Sequence, residues 1–499
     1  MIFLAITSNL YTLFNMKAFW LDEWFILHNM KTKSYSALIG ELEYSQQFPR
    51  IYLIIIKFFA EITHYNYYAI RFFPTIAQIF NILFIVFSIS GILFKDNLLK
   101  RNLFIVFFLS FQITIFYFTQ LKQYSIEMSV ALFGIWFFDF LCRDTNQKRI
   151  FSRGYIAFLF YLIAAPFFSY TFLFVTAPII VILFFTLINK KSTKDTKLKV
   201  LTPLLIVFIS IGLNFFTDLR FVLNSKNQYT AFSENIFSWQ SLSSISRGIL
   251  NLYRLPGYLF LYTPSEFNKA IGVFFFLVKL LIIALTIFGG YHLCKNSFKK
   301  QLLKINHLLT LFTLRSGINV SIYLFLSFST MIFFYLAGKL PIGQARLNYF
   351  SILFLIYFLL EGSEIFVQKI PFFNSLILSV LFFASIYQAS RGYIREFQNK
   401  NLLFDQKMFE TIGDVITVAE LKRLPIFVKE NEFYPSSIMQ HMENLAIEAH
   451  PSYSIDHSPR VNIFYGESPS RLDSTPIDSS YILLKKHSYS LVRIFNTSQ

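Results

Sequence analysis

The sequence predicts an α-helical polytopic membrane protein, and its composition and its charge pattern lead to that prediction. Of 499 residues, 55% are apolar and only 15% are charged, whereas soluble domains average about 25% charged residues. Apolar runs long enough to cross a bilayer recur through the first 390 residues, separated by short basic loops. These features exclude a secreted enzyme, a nucleic-acid-binding protein and a disordered scaffold. The only cysteines, Cys142 and Cys294, exclude a disulfide framework and a thiolate zinc cluster.

Basic residues are concentrated between the apolar runs. Residues 391–499 carry 12 Lys or Arg against 13 Asp or Glu, so the excess that gives the chain its net charge of +17 lies earlier. It falls in four short loops: Lys95/Lys100/Arg101, Arg143/Lys148/Arg149/Arg153, Lys190/Lys191/Lys194/Lys197/Lys199 and Lys295/Lys299/Lys300/Lys304/Arg315. Such loops are typical of the cytoplasmic side of a membrane protein.

Alternating the apolar runs between these loops predicts about eleven transmembrane helices. They cover 1–18, 70–93, 102–118, 124–141, 155–170, 171–189, 200–216, 270–293, 318–337, 347–363 and 372–390. The alternation places a first loop, 19–69, and a long loop, 217–269, on the outer face. The apolar stretch 51–60 is too short to span and is predicted to be a juxtamembrane helix at the membrane surface. The segment 155–189 contains no charged loop and is predicted to be a tight helical hairpin.

The chain is predicted to have two domains, a transmembrane catalytic domain over 1–390 and a small extracytoplasmic α/β domain over 391–499. The second domain is more polar and contains short strand-like runs at Pro425–Val428, Val461–Tyr465 and Tyr481–Leu484. A helix-like stretch covers Ser436–Ala449.

The first outer loop begins with an acidic pair, Asp22-Glu23, between Trp20 and Trp24. Two adjacent carboxylates at a bilayer edge are costly unless a cation, a metal or a reacting proton occupies them. A solvated acidic turn anchored by the tryptophans explains this stretch equally well when it is taken alone.

Four further stretches follow the acidic pair in order. They are Pro49-Arg50-Ile51-Tyr52, Ala69-Ile70-Arg71-Phe72-Phe73-Pro74, Leu121-Lys122-Gln123-Tyr124-Ser125 and Ala345-Arg346-Leu347-Asn348-Tyr349. With the acidic pair, they resemble the GT-C superfamily of membrane glycosyltransferases. The closest branch is the bacterial one with protein O-mannosyltransferase-like and lipid A aminoarabinose transferase-like members (glycosyltransferase family 39-like). The chain departs from the family pattern in having Lys122 where the motif has arginine, and Tyr170 where the hairpin often has histidine.

The resemblance implies a GT-C-type fold and the transfer of a sugar from a polyprenyl-phosphate donor. The acceptor would be a lipid, a glycan or a protein on the outer face of the cytoplasmic membrane. Such a reaction needs a carboxylate to take the proton of the acceptor hydroxyl, and cations to stabilise the leaving phosphate. The resemblance implies that Asp22 and Glu23 are catalytic, with a divalent cation on this pair left open. It also implies a donor phosphate site, formed by Lys122, Tyr124, Arg346 and Arg71. An arginine at an interface, such as Arg71, is more often an anchor for lipid headgroups than a ligand.

Several assignments remain open at the level of the sequence. Arg247 and Arg254 in the long outer loop suit donor or acceptor binding, although interfacial packing explains them as well. Glu127 either pairs with Lys122 or faces a cavity. Alternative functions are a cell-surface polysaccharide polymerase or ligase, a polytopic transporter or flippase, and a binding protein without catalysis.

Overall fold

The structure is a computed structural model, and its description covers most of the helical part of the chain. It describes residues 1–14, 21–43, 46–95, 97–111, 114–115, 120–144, 152–188, 194–220, 237–260, 269–299, 320–338, 340, 349–369, 371–397, 426–430, 449–452, 461–465, 481–487 and 490–495.

Helices dominate the described part of the chain. In chain order they are α1 (Ile2–Phe14), α2 (Leu21–Thr32), α3 (Tyr35–Leu38), α4 (Arg50–Ile62), α5 (Tyr67–Phe84), α6 (Ser90–Phe94), α7 (Leu98–Ser110), α8 (Tyr124–Asp144), α9 (Arg153–Phe168), α10 (Phe172–Ile188), α11 (Lys194–Asn214), α12 (Leu242–Phe260), α13 (Lys269–Lys299), α14 (Val320–Leu336), α15 (Ile352–Lys369) and α16 (Pro371–Phe397). Short π-helical turns, Ile85–Ile89 and Phe215–Leu219, follow α5 and α11. Among the described helices, four begin at side chains that cap their first turns: Ser34 caps α3, Asn66 caps α5, Asn97 caps α7 and Ser152 caps α9.

Among the described residues, four helical stretches are long and apolar enough to cross a membrane: Tyr68–Phe94, Tyr124–Arg143, Lys197–Asp218 and Val273–His292. Shorter apolar helices of 10–17 residues are Ile2–Phe14, Arg153–Phe168, Phe172–Ile188 and Val320–Leu336. The described chain therefore has the character of a helical membrane protein, as the composition predicts. Each of the eleven predicted ranges overlaps a helix, and the number that cross the bilayer remains a prediction.

The segment 155–189, predicted to be a tight helical hairpin, forms two consecutive helices, α9 and α10, separated by residues 169–171. The helix predicted over 51–60 is α4, which covers 13 residues. Its position at a membrane surface remains a prediction.

Helices α13 and α15 pack with their backbones in direct contact at two glycines. A Cβ added at Gly289 would lie 1.9 Å from the carbonyl oxygen of Phe358, and one added at Gly362 would lie 2.0 Å from that of Leu285. Small residues allow helices to approach this closely in a membrane. The crossing thus depends on the absence of a side chain at both positions.

Helices α5 and α8 share a buried polar seam. Asn81 Nδ2 donates to the Ser125 carbonyl at 2.8 Å, and the Ser129 hydroxyl donates to Asn81 Oδ1 at 2.7 Å. One turn earlier on α5, Gln78 Nε2 donates to the Tyr349 hydroxyl at 3.0 Å. Interhelical hydrogen bonds of this kind join helices where apolar burial gives no driving force.

The segments 21–43 and 46–62, called the first-loop unit below, form an apolar layer of their own. On α4, the buried residues Tyr52, Leu53, Ile56 and Ala60 recur with helical spacing, which gives the helix one apolar inner face. They pack with Ile26, Leu27, Met30, Leu38, Leu42 and Phe48 of the unit and with Ile70 and Leu121 of the bundle. Hydrophobic burial therefore holds the unit against the starts of α5 and α8.

The helix ends on the side of the bundle away from the first-loop unit are called the Lys100 end below, and they include the starts of α7, α9 and α11 and the second half of α15. Lys100 Nζ donates to Glu361 Oε1 at 2.8 Å and also contacts Glu364 on α15. The Tyr155 hydroxyl, at the start of α9, donates to the carbonyl of Lys199 on α11 at 2.7 Å.

The described part of the tail forms one five-stranded sheet. Its strands are β1 (Ile426–Glu430), β2 (Ala449–Ser452), β3 (Val461–Tyr465), β4 (Tyr481–His487) and β5 (Ser490–Phe495), in the order β2-β1-β3-β5-β4. β1 is parallel to β2 and β3, whereas β5 is antiparallel to β3 and β4. The three predicted strand-like runs overlap β1, β3 and β4. The predicted helix over Ser436–Ala449 lies outside the described residues except for Ala449, with which β2 begins.

Candidate functional site

Among the described residues, three buried or partly buried polar ties attach the first-loop unit to the helical bundle, and together they form the candidate site. Each tie joins the unit to the end of a bundle helix. The site is called the seat below, and it consists of Glu23, Gln46 and Arg50 of the unit with Arg71, Leu121, Lys122, Tyr170 and Asp218 of the bundle.

The first tie is an ion pair between α2 and α5. Arg71 Nη2 donates to Glu23 Oε2 at 3.0 Å, and both side chains are buried. The backbone N–H of Leu121, just before α8, donates to Glu23 Oε1 at 2.5 Å. Both carboxylate oxygens of Glu23 therefore accept hydrogen bonds from the bundle, which fixes α2 against the starts of α5 and α8.

The second tie joins the extended segment before α4 to the turn before α8. Lys122 Nζ donates to Gln46 Oε1 at 2.7 Å, and Lys122 is buried. The backbone N–H of Lys122 donates to the Gln120 carbonyl at 2.7 Å, a tight turn that sets the direction of the lysine side chain. The tie brings the sequence around Pro49 next to the lysine of the Leu121–Ser125 motif.

The third tie joins α4 to the end of α11 and to the α9–α10 turn. The Arg50 backbone N–H donates to Asp218 Oδ2 at 3.0 Å, and the guanidinium Nε lies 4.0 Å from Asp218 Oδ1. The Tyr170 hydroxyl donates to Asp218 Oδ1 at 2.8 Å. Nearby, Asn214 Nδ2 donates to the Pro166 carbonyl at 2.9 Å, so α11 and α9 are also joined directly.

Aromatic packing fills the space beside the third tie. The rings of Phe48 and Tyr52 stack with centroids 5.4 Å apart, and Tyr52 lies 6.2 Å from Phe168 at the end of α9. Burial raises the pKa of the Tyr52 hydroxyl above its ordinary value.

The far end of α4 is held within the unit and is more exposed. Lys57 Nζ contacts Glu61 Oε1 at 2.6 Å and donates to the Met30 carbonyl at 2.5 Å. The Tyr35 hydroxyl donates to Glu61 Oε2, and this hydrogen bond raises the pKa of Tyr35 to about 12. Hydrogen bonds from Lys57 and then Tyr35 lower the pKa of Glu61.

Burying charged groups in this way has an energetic cost. Desolvation of two ions often exceeds their attraction, so buried pairs are weak stabilising elements when compared with apolar residues of similar size. Two carboxylate–arginine pairs and a lysine are buried together in the seat. Ionisable groups buried in a membrane protein are a default sign of function.

The chain matches no protein-family model and no curated protein.

The seat contains three of the residues predicted to act in catalysis or phosphate binding, namely Glu23, Arg71 and Lys122. Tyr124 is buried at the start of α8, two residues after Lys122. Asp22 lies on α2 directly before Glu23, and its side chain is outside the described part of the structure, as is the whole of Arg346.

The other predicted residues lie deeper in the bundle or farther along the chain. The side chain of Glu127 is buried one turn into α8 and hydrogen-bonds Gln123. Arg247 is exposed on α12, whose Gly248 carbonyl accepts a hydrogen bond from the hydroxyl of Tyr335 at 2.9 Å. The side chain of Arg254, also on α12, is outside the described residues.

The arrangement around Glu23 bears on the divalent cation that the resemblance leaves open. Its buried carboxylate is already engaged by Arg71 and Leu121, so it does not fit the role of a metal ligand in this geometry. Among the residues that the structure describes, no group of three or more His, Cys, Asp or Glu side chains could hold a metal ion.

Asp218, Gln46 and the role of Arg50 were missed by sequence reasoning. Asp218 lies just after the predicted span 200–216, where a charged residue following an apolar run is ordinary. Arg50 belongs to a quoted motif, but the sequence gives no indication of its partner, 168 residues away. The sequence pattern that could have indicated these contacts is an acidic residue at the end of one predicted span together with basic residues at the ends of other spans.

Proposed function

We propose that the chain is an integral-membrane glycosyltransferase. It moves a sugar from a polyprenyl-phosphate donor to a lipid, glycan or protein acceptor at the outer face of the cytoplasmic membrane. The observation that carries the proposal is the seat, where the acidic first loop and the lysine of the Leu121–Ser125 motif meet at the ends of bundle helices. Four of the five stretches that resemble the GT-C superfamily contribute to this one region although they are far apart in the sequence. The fifth, 345–349, lies outside the described residues except for Tyr349.

The proposal includes a membrane topology of eleven spans. The helix ends at the seat are those that the positive-inside pattern assigns to the outer face, and the Lys100 end carries basic residues of the loops assigned to the cytoplasm. Phosphate headgroups of a polyprenyl donor in the outer leaflet would be level with the seat. The tail would be an extracytoplasmic α/β domain.

The proposed reaction is a direct displacement at the anomeric carbon of the sugar. The acceptor hydroxyl oxygen forms the new bond, the bond from the sugar to the phosphate oxygen breaks, and polyprenyl phosphate leaves. Asp22 takes the proton of the acceptor hydroxyl as general base. Lys122 stabilises the charge on the leaving phosphate, together with Arg346 and Tyr124.

Glu23 and Arg71 have a different part in this proposal from the direct roles that the resemblance implies. Since each is engaged by the other, they hold α2 and thereby set the position of Asp22, the residue before Glu23. Asp22 and Glu23 are therefore not interchangeable.

The experiment uses the full chain in proteoliposomes that contain a panel of polyprenyl-phosphate hexoses and pentoses, with donor binding and release of polyprenyl phosphate measured separately. The substitution Asp22→Asn keeps the shape of the side chain. With the donor that the wild-type protein binds, this variant should still bind the donor but should release no polyprenyl phosphate. Lys122→Ala removes a preorganised charge, and should lower turnover by about 10²–10³-fold. Tyr155→Phe, at the Lys100 end, is the matched control and should retain wild-type turnover.

Two outcomes would contradict the proposal. Near-normal turnover of Asp22→Asn would remove its catalytic role, and binding to none of the donors would favour a transporter or another polytopic class. The topology has its own test in reporter fusions after Lys194 and Lys300, expected in the cytoplasm, and after Asn227 and Asn401, expected outside. A cytoplasmic reporter after Asn401 would overturn the placement of the tail and of the seat.

A further inference from the structure

Helix α4 has no capping side chain of its own. Its N-cap position is Pro49, which makes no side-chain hydrogen bond to the helix. The first N–H groups of a helix have no partner within the helix and are usually satisfied by a neighbouring Ser, Thr, Asp or Asn. In α4 the backbone N–H of Arg50 is instead satisfied by the carboxylate of Asp218, at 3.0 Å.

Asp218 thus acts as an N-terminal cap from a distant part of the chain. A negative charge at this position also interacts favourably with the positive end of the helix dipole. The same carboxylate accepts the hydroxyl of Tyr170 at 2.8 Å, so one buried side chain joins α4, the α9–α10 turn and the end of α11.

The backbone around Asp218 is shaped for this contact. The residue lies in the π-helical turn Phe215–Leu219, and such turns occur often at functional sites. Within the turn, Phe215 and Phe216 are exposed while Asp218 is buried. The turn therefore combines two lipid-compatible aromatic residues with one inward-facing carboxylate.

We propose that Asp218 is a positioning residue that fixes the first-loop unit on the bundle by capping α4, with Tyr170 holding the carboxylate in place. Because α4 and α2 share one apolar layer, loss of the cap displaces the whole unit relative to the end of α8. When the unit is displaced, Asp22 and Lys122 no longer face the same substrate. This part of the inference rests on the proposed function. The structural part concerns the attachment of α4 alone.

The first experiment is hydrogen exchange on the full chain in nanodiscs, without any substrate. In Asp218→Ala, peptides that cover residues 46–56 should exchange on the order of ten- to a hundredfold faster, as expected for the loss of hydrogen bonds to a charged group. Tyr170→Phe keeps the carboxylate and should give a smaller increase in the same peptides. The control is Tyr155→Phe, which loses a similar buried hydroxyl bond at the Lys100 end and should leave residues 46–56 unchanged.

The second experiment measures transfer, with donor binding assayed separately. In Asp218→Ala, kcat should fall at least tenfold while the Kd for the donor changes less than threefold, because Lys122 belongs to the bundle. Asp218→Asn keeps one acceptor oxygen for the Arg50 N–H and should recover part of both the protection and kcat. A general loss of folding would instead raise exchange throughout the chain and reduce donor binding in parallel.

The two experiments separate the failure of this inference from the failure of the proposed function. Unchanged exchange of residues 46–56 in Asp218→Ala overturns the positioning role, whatever the activity. Normal kcat despite faster exchange overturns the link from the cap to catalysis. If the wild-type chain transfers no sugar, the proposed function fails while the exchange result still decides whether Asp218 positions the first-loop unit.

Discussion

The seat and the Lys100 end use ionic groups in different ways, and the ionic groups of the two regions lie on different helices. In the seat, the side chains of Glu23 and Arg71 are 2% and 1% exposed. At the Lys100 end, Lys100 and Glu361 are 13% and 21% exposed, and Lys100 also contacts Glu364. Partly hydrated charges can be solvated by water or headgroups when a partner is lost, whereas buried charges cannot.

This difference indicates in which region the folded protein carries the free-energy cost of burying charged groups. Apolar residues would hold α2 against α5 at least as well as an ion pair, since replacing a buried pair by apolar residues is often neutral or stabilising. A pair with defined geometry instead sets the orientation of its neighbours. The seat is therefore the region in which position matters more than stability, and the predictions below test this contrast.

The largest effect is expected for a single substitution within the buried pair. Glu23→Ala leaves Arg71 as an uncompensated buried charge and should lower the free energy of unfolding by about 3–5 kcal/mol. The double variant Glu23→Met/Arg71→Met removes both charges and should be more stable than Glu23→Ala. Denaturant titrations of the purified protein in mild detergent measure both, and an equal loss in the two variants would break the contrast.

A second prediction concerns the glycine contact between α13 and α15. Gly289→Ala places a Cβ against the Phe358 carbonyl and should destabilise by about 1–3 kcal/mol through overpacking. At the neighbouring Gly290, a Cβ would have no atom within 4 Å, and Gly290→Ala should stabilise by up to about 1 kcal/mol through helix propensity. Thermal unfolding of the two variants measures the difference, and the same sign for both would refute the close crossing.

The ion pairs at the Lys100 end should contribute less than the pair in the seat. Lys100→Ala leaves Glu361 and Glu364 able to reach water, so the expected loss of unfolding free energy is about 1 kcal/mol or less. The loss should shrink as salt is added, because partly exposed pairs are screened. A loss as large as that of Glu23→Ala, measured in the same titration, would show that the two ends are energetically alike.

The smallest effect is expected at the exposed edge of the first-loop unit. Partial burial raises the pKa of Glu43, but the hydrogen bond and charge of Lys33 and the charge of His28 outweigh it, so the net pKa is lowered. A lowered carboxylate pKa contributes stability above the unfolded-state value of 4.5, and this contribution is lost as pH falls through the folded-state pKa. Glu43→Gln should therefore cost at most about 0.5 kcal/mol at pH 7.

The pH dependence of the stability of Glu43→Gln provides the control for this prediction. The stability difference between Glu43→Gln and the wild type should decrease as the pH is lowered from 4.5 toward 3. A difference that grows in this interval would mean that the pair does not lower the pKa of Glu43.

The sequence predicted much of the helical architecture because apolar length and charge are local properties. A run such as 124–141 must become a helix, since only a helix satisfies its own backbone hydrogen bonds in an apolar environment. The short stretch 51–60 was likewise interpreted as a separate helix, and α4 has nearly those bounds. The ends are less well predicted: the helix at 102–118 instead covers Leu98–Ser110.

The candidate site was only partly predictable. The acidic pair and the basic motif residues were identified from their types and order, because charges beside apolar runs are conspicuous. The pairing of these residues was not predicted. Glu23 was expected to react and Arg71 to bind phosphate, whereas in the structure the two side chains bind one another. Tyr170 was noted only as a departure from a motif, and its contact with Asp218 was not foreseen.

By itself, the sequence determined that this chain is helical, apolar and charged mainly in short loops, since hydropathy and charge act within one segment at a time. Only the tertiary structure decided that Glu23 meets Arg71, that Gln46 meets Lys122, and that Asp218 caps a helix that begins 168 residues earlier. Hydrogen bonds and ion pairs act over about 3 Å, and no local pattern records which distant helix ends packing will bring within that distance.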